Sequence, residues 1–221
     1  TQNGICLISS SNNTLTSNTA SNNWYGYGTY LLSSSNNNTL TNNTASNNNY
    51  GIYLYISNWN NLTSNTASNN TETGIYLSSS SNNAIYNNYF NNTNNAYDDG
   101  TNTWNITKTA GTNIIGGPYL GGNYWSDYAG NDTDGDGLGD TLVPYNSTGN
   151  ISSGGDYLPL VPAIYATLNG TVSFISRDSA PNAKWVEPFV VKLFQPGNLS
   201  NVLWPGNATT NESGVFIINN L

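Results

Sequence analysis

One short unit, repeated four times in the first ninety or so residues, limits what this chain can become. Its copies open with Gly4-Ile5-Cys6-Leu7, Gly28-Thr29-Tyr30-Leu31, Gly51-Ile52-Tyr53-Leu54 and Gly74-Ile75-Tyr76-Leu77, the glycines 24, 23 and 23 residues apart. A Ser/Asn run and a second short apolar segment follow each opening. A unit this small, with two or three very short strands, cannot bury its apolar side alone. Stacked neighbours must supply a shared core, so the pattern predicts a solenoid.

Aligning the copies gives the columns that stack. Ile5, Thr29, Ile52 and Ile75 form one, and Leu7, Leu31, Leu54 and Leu77 a second. Leu15, Leu40, Leu62 and Ile85 form a third, and Ala20, Ala45, Ala67 and Phe90 a fourth. Strand alternation turns the intervening Cys6, Tyr30, Tyr53 and Tyr76 outward. Asparagines are also in register: Asn13, Asn38, Asn60 and Asn83; Asn18, Asn43, Asn65 and Asn88; Asn22, Asn47, Asn69 and Asn92. Asparagine tolerates the left-handed backbone of sharp corners, and its amide, both donor and acceptor, can bond to the copy above. These files are expected to be structural, although they also offer a binding surface.

Composition removes several function classes. Of 221 residues only 7% are charged while 12% are aromatic, and 43 are asparagine. Regular apolar spacing and aromatic content speak against disorder. A net charge of −8 with four basic residues, Lys108, Arg177, Lys184 and Lys192, leaves no patch for nucleic acid. No apolar run reaches the ~18 residues of a membrane span. Cys6 is the sole cysteine, so no internal disulfide forms. Asn-x-Ser/Thr recurs, for example at Asn12, Asn37, Asn61, Asn146 and Asn207, which favours a secreted or surface glycoprotein. Thr1 stands just ahead of a repeat and Leu221 inside a strand pattern, so the chain reads as a fragment of a larger protein.

The stretch "NGICLISSSNNTLTSNTASNN" and its three successors resemble the right-handed parallel β-helix repeats of NosD-like and pectin-lyase-like proteins and of archaeal surface proteins. The likeness runs from residue 1 to about 160. Within it Asn113 to Pro118, Gly121-Gly122-Asn123-Tyr124-Trp125-Ser126-Asp127-Tyr128 and Asp156 to Leu160 look like closing coils. The resemblance implies parallel β-helix repeats with closing coils over 1–128. An Asp/Gly-rich loop and proline-marked connector follow over 129–162. From 163 to 221 the pattern resembles an incomplete antiparallel β-sandwich of the immunoglobulin-like or carboxypeptidase-regulatory-like kind, so the chain is expected to be all-β. The last piece rests on strand patterns at Leu168 to Ile175, Pro188 to Phe194, Asn201 to Trp204 and Gly214 to Ile218. It also holds Trp185 and Trp204, a packing or sugar-binding pair.

Asp132-Thr133-Asp134-Gly135-Asp136-Gly137-Leu138-Gly139-Asp140 has the spacing of a metal loop. Alternate carboxylates with turn-forming glycines suit a hard cation, Ca²⁺, with Asp132, Asp134, Asp136 and Asp140 as side-chain ligands and the Leu138 carbonyl as a fifth. Val143 stands where an EF-hand has its bidentate Glu, so the expected site is structural and resembles thrombospondin- and dockerin-type loops. The alternative is a solvated acidic turn.

Catalysis is not expected. Lyases of this fold need a basic residue and hydrolases need clustered acids, whereas the coils hold no Lys, Arg or His and only Glu72 before Asp98. Asp98 and Asp99 are adjacent and on a strand face opposite ways. Copper handling, suggested by the NosD name, lacks ligands: the chain has no His, no Met and one Cys. The expected function is a structural or adhesive cell-surface module of an archaeal envelope or S-layer, with envelope proteins or surface glycans as partners. A second expectation is carbohydrate binding through Tyr30, Tyr53 and Tyr76, against which stands plain aromatic stiffening of the wall. Ice binding by Thr14/Thr16 and Thr39/Thr41 fails where Asn61, Ala84 and Tyr86 interrupt the files.

Overall fold

The apolar columns become three parallel walls. In the computed structural model, residues 3–162 are described in full, together with the backbone of four later strands. The first wall stacks Ile5–Ile8, Tyr27–Leu32, Tyr50–Tyr55, Thr73–Ser78 and Ala96–Asp98 in that order. The second stacks Thr14–Thr16, Thr39–Thr41, Asn61–Thr63 and Ala84–Tyr86. The third holds Thr66–Ser68, Tyr89–Asn91 and Tyr124–Trp125, and bridges from Thr19 to Thr44 to Thr66 continue it toward the first coil. Register follows the repeat: Leu7 lies beside Leu31, Leu31 beside Leu54, and Leu54 beside Leu77. The predicted parallel β-helix is therefore the fold.

Each column points into one continuous core. Leu31, Leu54, Leu77, Leu40, Leu62, Ile85, Ala67 and Phe90 are fully buried. On the first coil Ile5 and Leu7 are only partly covered, because no described strand lies beyond them. The repeat glycines are required by close approach rather than by unusual backbone. A Cβ on Gly51 would lie 2.4 Å from the Gly74 carbonyl oxygen and 2.7 Å from Asn70 Nδ2.

Corners divide their work between two adjacent residues. The first takes left-handed backbone, as at Asn12 (φ 62°), Asn37 (54°), Asn42 (58°), Asn47 (58°), Asn69 (55°) and Asn82 (59°). The second turns its amide inward and ladders. Asn43, for instance, accepts from Asn18 N–H and Nδ2 at 2.9 Å each and donates to Leu15 O at 2.8 Å and Asn65 Oδ1 at 3.0 Å. This corrects the third asparagine file: its rungs are Asn23, Asn48, Asn70 and Asn92, while Asn22, Asn47 and Asn69 are the outer corner residues. Two asparagines in a row admit either phase, and only the backbone φ decides between them.

Beyond the fifth first-wall strand the coil closes with aromatics. Thr103 bridges to Ala84, and Trp104 fills the core. The chain then leaves the walls in an excursion containing the antiparallel pair Thr109–Ala110 and Tyr119–Leu120. It returns at Tyr124–Trp125, which lies beside Tyr89 and Phe90. Trp125 stacks on Phe90 at 4.7 Å, and Tyr145 stacks on Trp125 at 4.4 Å. The third-wall column thus widens from alanine through phenylalanine to tryptophan where no further coil fills the cross-section. Residues expected as a connector join this plug: Ile151 bridges to Asp98, and Tyr145 to Asp156.

Backbone contacts group the chain into Thr1–Ala163 and Ile164–Leu221. In the second unit Leu168–Thr171 pairs antiparallel with Val215–Ile218, and Pro188–Gln195 with Asn198–Thr209. Four strands were expected here, and the third runs longer than Asn201 to Trp204. Trp185 and the side chain of Trp204 lie outside the described residues.

Candidate functional site

On the outer face of the first wall, Tyr30, Tyr53 and Tyr76 are brought together as their spacing predicts. Tyr53 and Tyr76 stack at 4.8 Å and 11°, and Tyr97 continues the stack from Tyr76 at 4.3 Å and 12°. Tyr30 meets Tyr53 edge-on at 5.1 Å. Sequence reasoning missed a second column beside them, Tyr27 and Tyr50, which pair in register. Tyr27 lies 4.9 Å from Tyr53, and Tyr50 lies 5.5 Å from Tyr76. The signal was available, since Tyr27 and Tyr50 precede Tyr30 and Tyr53 by the same three residues. Burial among their neighbours pushes the Tyr30, Tyr50, Tyr53 and Tyr76 hydroxyls above the usual tyrosine range. These tyrosines are therefore neutral at neutral pH, stacked or tilted against one another, with hydroxyls able to donate or accept.

Three acids at the plugged end, Asp98 and Asp156 buried and Asp127 exposed, have a different task. Each asparagine ladder ends on an aspartate at the plugged end. Asn102 Nδ2 donates to Asp98 at 2.8 Å, Asn123 N–H to Asp156 at 2.6 Å, and Asn95 Nδ2 to Asp127 at 2.6 Å. Asp156 also accepts from Trp125 Nε1 at 2.8 Å and from Leu158 N–H at 3.0 Å. Burial raises the Asp156 carboxyl to about 7 against these donors, which pull it down. Asp98, likewise buried and likewise raised by it, accepts from Gly100 N–H and Trp104 Nε1. Its neighbour Asp99 is exposed and bonds Ser78 and Ser79, so the pair does face opposite ways.

In the acidic loop, carboxylate oxygens of Asp132, Asp134 and Asp136 lie within 4.8 Å of one another. Asp132 takes the N–H groups of Gly135 and Gly137, which curls the loop around it. Asp140 is held instead by the N–H and hydroxyl of Thr133, and these bonds lower its carboxyl below the usual range. Leu138 is buried and pairs with Leu160. Lys108, on the excursion, forms an ion pair with Asp136 and lies 4.4 Å from the Tyr119 ring centre. Nothing in the residue pattern marks that partner, because 28 residues separate the two.

These features define a parallel β-helix stapled by asparagine ladders, whose ends are closed by the buried Asp98 and Asp156 and the exposed Asp127, and whose outer surface offers tyrosines and one acidic loop. More particularly, the chain belongs to the NosD family: the family described as "Periplasmic copper-binding protein (NosD)" matches residues 1–130. No curated protein and no solved structure matches the chain. Among the described residues no helix is long and apolar enough to cross a membrane.

The family description names copper, and this chain's side chains do not fit it. Copper sites are built from imidazole, thiolate and thioether groups. The chain has no His, no Met and a single Cys. Cys6 is exposed at the first coil, and partial burial raises its thiol rather than favouring the thiolate. Among the described residues, the acidic group that converges, Asp132, Asp134 and Asp136, is a hard all-oxygen set.

Proposed function

We propose that this chain is a non-catalytic structural or adhesive module of a cell-surface protein outside the cytoplasm, of the archaeal envelope or S-layer kind. Its walls space and display neighbouring segments and meet envelope proteins or surface glycans. The observation that carries this reading is the use made of the acids. Both buried carboxylates among the described residues, Asp98 and Asp156, are committed to ladder ends and indole N–H groups rather than to an open cleft. Release of unsaturated or reducing sugars from any polysaccharide by the pure protein would overturn it.

A structural Ca²⁺ in the acidic loop belongs to this reading, with Asp132, Asp134 and Asp136 as core ligands and Asp140 and the Leu138 carbonyl completing the set. Grouped carboxylates and the oxygen-only donor set support it. Binding requires Asp136 to exchange Lys108 for the ion and Asp140 to turn from Thr133. Millimolar Ca²⁺ is expected to raise the melting temperature and slow proteolysis between Gly130 and Pro144. Absence of both heat and stabilisation in calorimetry would remove the ion from the account.

A second reading, carbohydrate binding, is favoured by one finding: the tyrosine face is a patch of six rings in two columns rather than a single file. Such a surface stacks on sugar rings while hydroxyls bond their edges. Glycan-array binding that is lost in Tyr53→Ala, with the fold retained, is the expected signature. Failure to bind any glycan would retire this reading and leave aromatic stiffening of the wall.

A further inference from the structure

The two asparagines of a corner doublet differ in what stands two residues further on. An inward ladder asparagine is followed, two residues later, by another inward position, and that position is core: Leu15 after Asn13, Leu40 after Asn38, Ala45 after Asn43. Its outer neighbour is followed by an outward position, and there the chain places threonine: Thr14 after Asn12, Thr39 after Asn37, Thr44 after Asn42. A hydroxyl two residues after a rung would have to enter the core. The triplet Asn-x-Thr, the acceptor signal for N-glycosylation, therefore falls on outer asparagines only. Ten Asn-x-Ser/Thr triplets begin within residues 3–162, and none of them begins on a ladder asparagine.

Amide chemistry draws the same line. A glycan replaces one of the two hydrogens on Nδ2. Asn43 uses both, toward Leu15 O at 2.8 Å and Asn65 Oδ1 at 3.0 Å, so a sugar there would cut a rung. Asn12, Asn37, Asn42, Asn69 and Asn91 are exposed. Among the described residues the one hydrogen bond from their amides is that of Asn42 to Ser17 Oγ at 3.1 Å, itself exposed. Asn69-Asn70-Thr71 and Asn91-Asn92-Thr93 stand on adjacent coils and line an open hollow of about 590 Å³, which leaves room for sugar rings. Asn61 carries the same triplet in a different setting. It lies within the second-wall strand Asn61–Thr63, half-buried, with its Oδ1 buried and unpartnered.

We propose that Asn12, Asn37, Asn42, Asn69 and Asn91 are N-glycan acceptors and that Asn61 is not, an inference that rests on the extracellular reading above. The donor is an oligosaccharide carried on a lipid phosphate or diphosphate, and an oligosaccharyltransferase joins the two. Nδ2 forms a bond to C1 of the first sugar as the bond from C1 to the phosphate oxygen breaks. The lipid phosphate leaves with that electron pair, and Nδ2 gives up one proton. Glycans then line the corners of the rod, while the tyrosine face of the first wall, where no such triplet begins, stays bare.

The test secretes the full chain from a host that possesses an Asn-x-Thr transferase. Enzymatic release of the glycans in heavy-oxygen water turns each occupied asparagine into labelled aspartate, which mass spectrometry maps. Label at the five outer asparagines and none at Asn61 is the expected result. Since no rung is cut, the thermal midpoint before release should lie within about 2 °C of the same chain made without the transferase. Five empty outer sites would overturn the proposal, as would equal occupancy at Asn61 or a midpoint lowered by about 5 °C or more. Because the host supplies the transferase, an unmodified chain counts against these sites alone. The extracellular reading fails separately, if the native producer keeps the chain in its cytoplasm.

Discussion

Asn42 and Asn43 are neighbours of identical chemistry, and the fold gives them opposite work. Asn42 is exposed at φ 58°, with one exposed side-chain bond, to Ser17 Oγ at 3.1 Å. Asn43 is 4% exposed and makes four side-chain bonds. Replacing Asn42 with alanine keeps every ladder and forces a Cβ-bearing residue lacking asparagine's local bonds into left-handed backbone, at a cost of about 1 kcal/mol. Glycine there removes the strain and costs close to nothing. Replacing Asn43 with alanine strands two donors on Asn18 and the Leu15 carbonyl. At about 1–3 kcal/mol for each unsatisfied group, and with Asn18 partly open to water, the loss comes to roughly 3–5 kcal/mol. Glycine at 43 rescues nothing. Urea unfolding of the four variants, with m-values held constant, reads the difference directly. Equal losses at the two positions, or a glycine that rescues both, would refute the division of labour at the corners.

Two further outcomes follow from the plug and the repeat glycines. Asp156 has a folded value of about 7 against 3.8 for the free group, so the folded chain holds that proton more tightly than the unfolded one. Its contribution is complete below about pH 4 and is lost as pH rises through 7, by an amount on the order of 4 kcal/mol. Stability measured from pH 4.5 to 7.5 should therefore fall, and the Asp156→Asn slope should be flatter; an unchanged slope counts against the assignment. Gly51→Ala should cost about 3 kcal/mol, because its Cβ meets backbone oxygen at 2.4 Å, whereas Gly135→Ala, with nothing within 4 Å, should cost only the strain of its φ of 80°. Melting temperatures of the two variants compare these directly.

The walls were legible in the sequence because their information is periodic. Leu31, Leu54 and Leu77 announce their stacking by recurrence alone. Doublets such as Asn22-Asn23 carry the same recurrence in two phases, and so the inner file was read one residue out. The plug was harder to see. Asn123, Asp156 and Tyr145 each act once, against partners tens of residues away, and no repeat marks them. Asp127 and Asp156 flank the acidic loop in the sequence, yet they bond Asn95 and Asn123 at the ladder ends instead of joining Asp132, Asp134 and Asp136. Of the tyrosine face, Tyr30, Tyr53 and Tyr76 were visible; Tyr97 was not, since the fifth coil lacks the opening glycine motif.

Asn88 and Asn123 bond as adjacent rungs at 2.9 Å although 35 residues of chain separate them. The architecture thus measures height, and is indifferent to how much polypeptide is spent between one rung and the next. A segment grafted between Trp104 and Asn123 would hang from the side of the rod without renegotiating its interior. The excursion holding Lys108 already occupies that place, carrying its own antiparallel pair and ion pair while the rungs on either side of it stay joined.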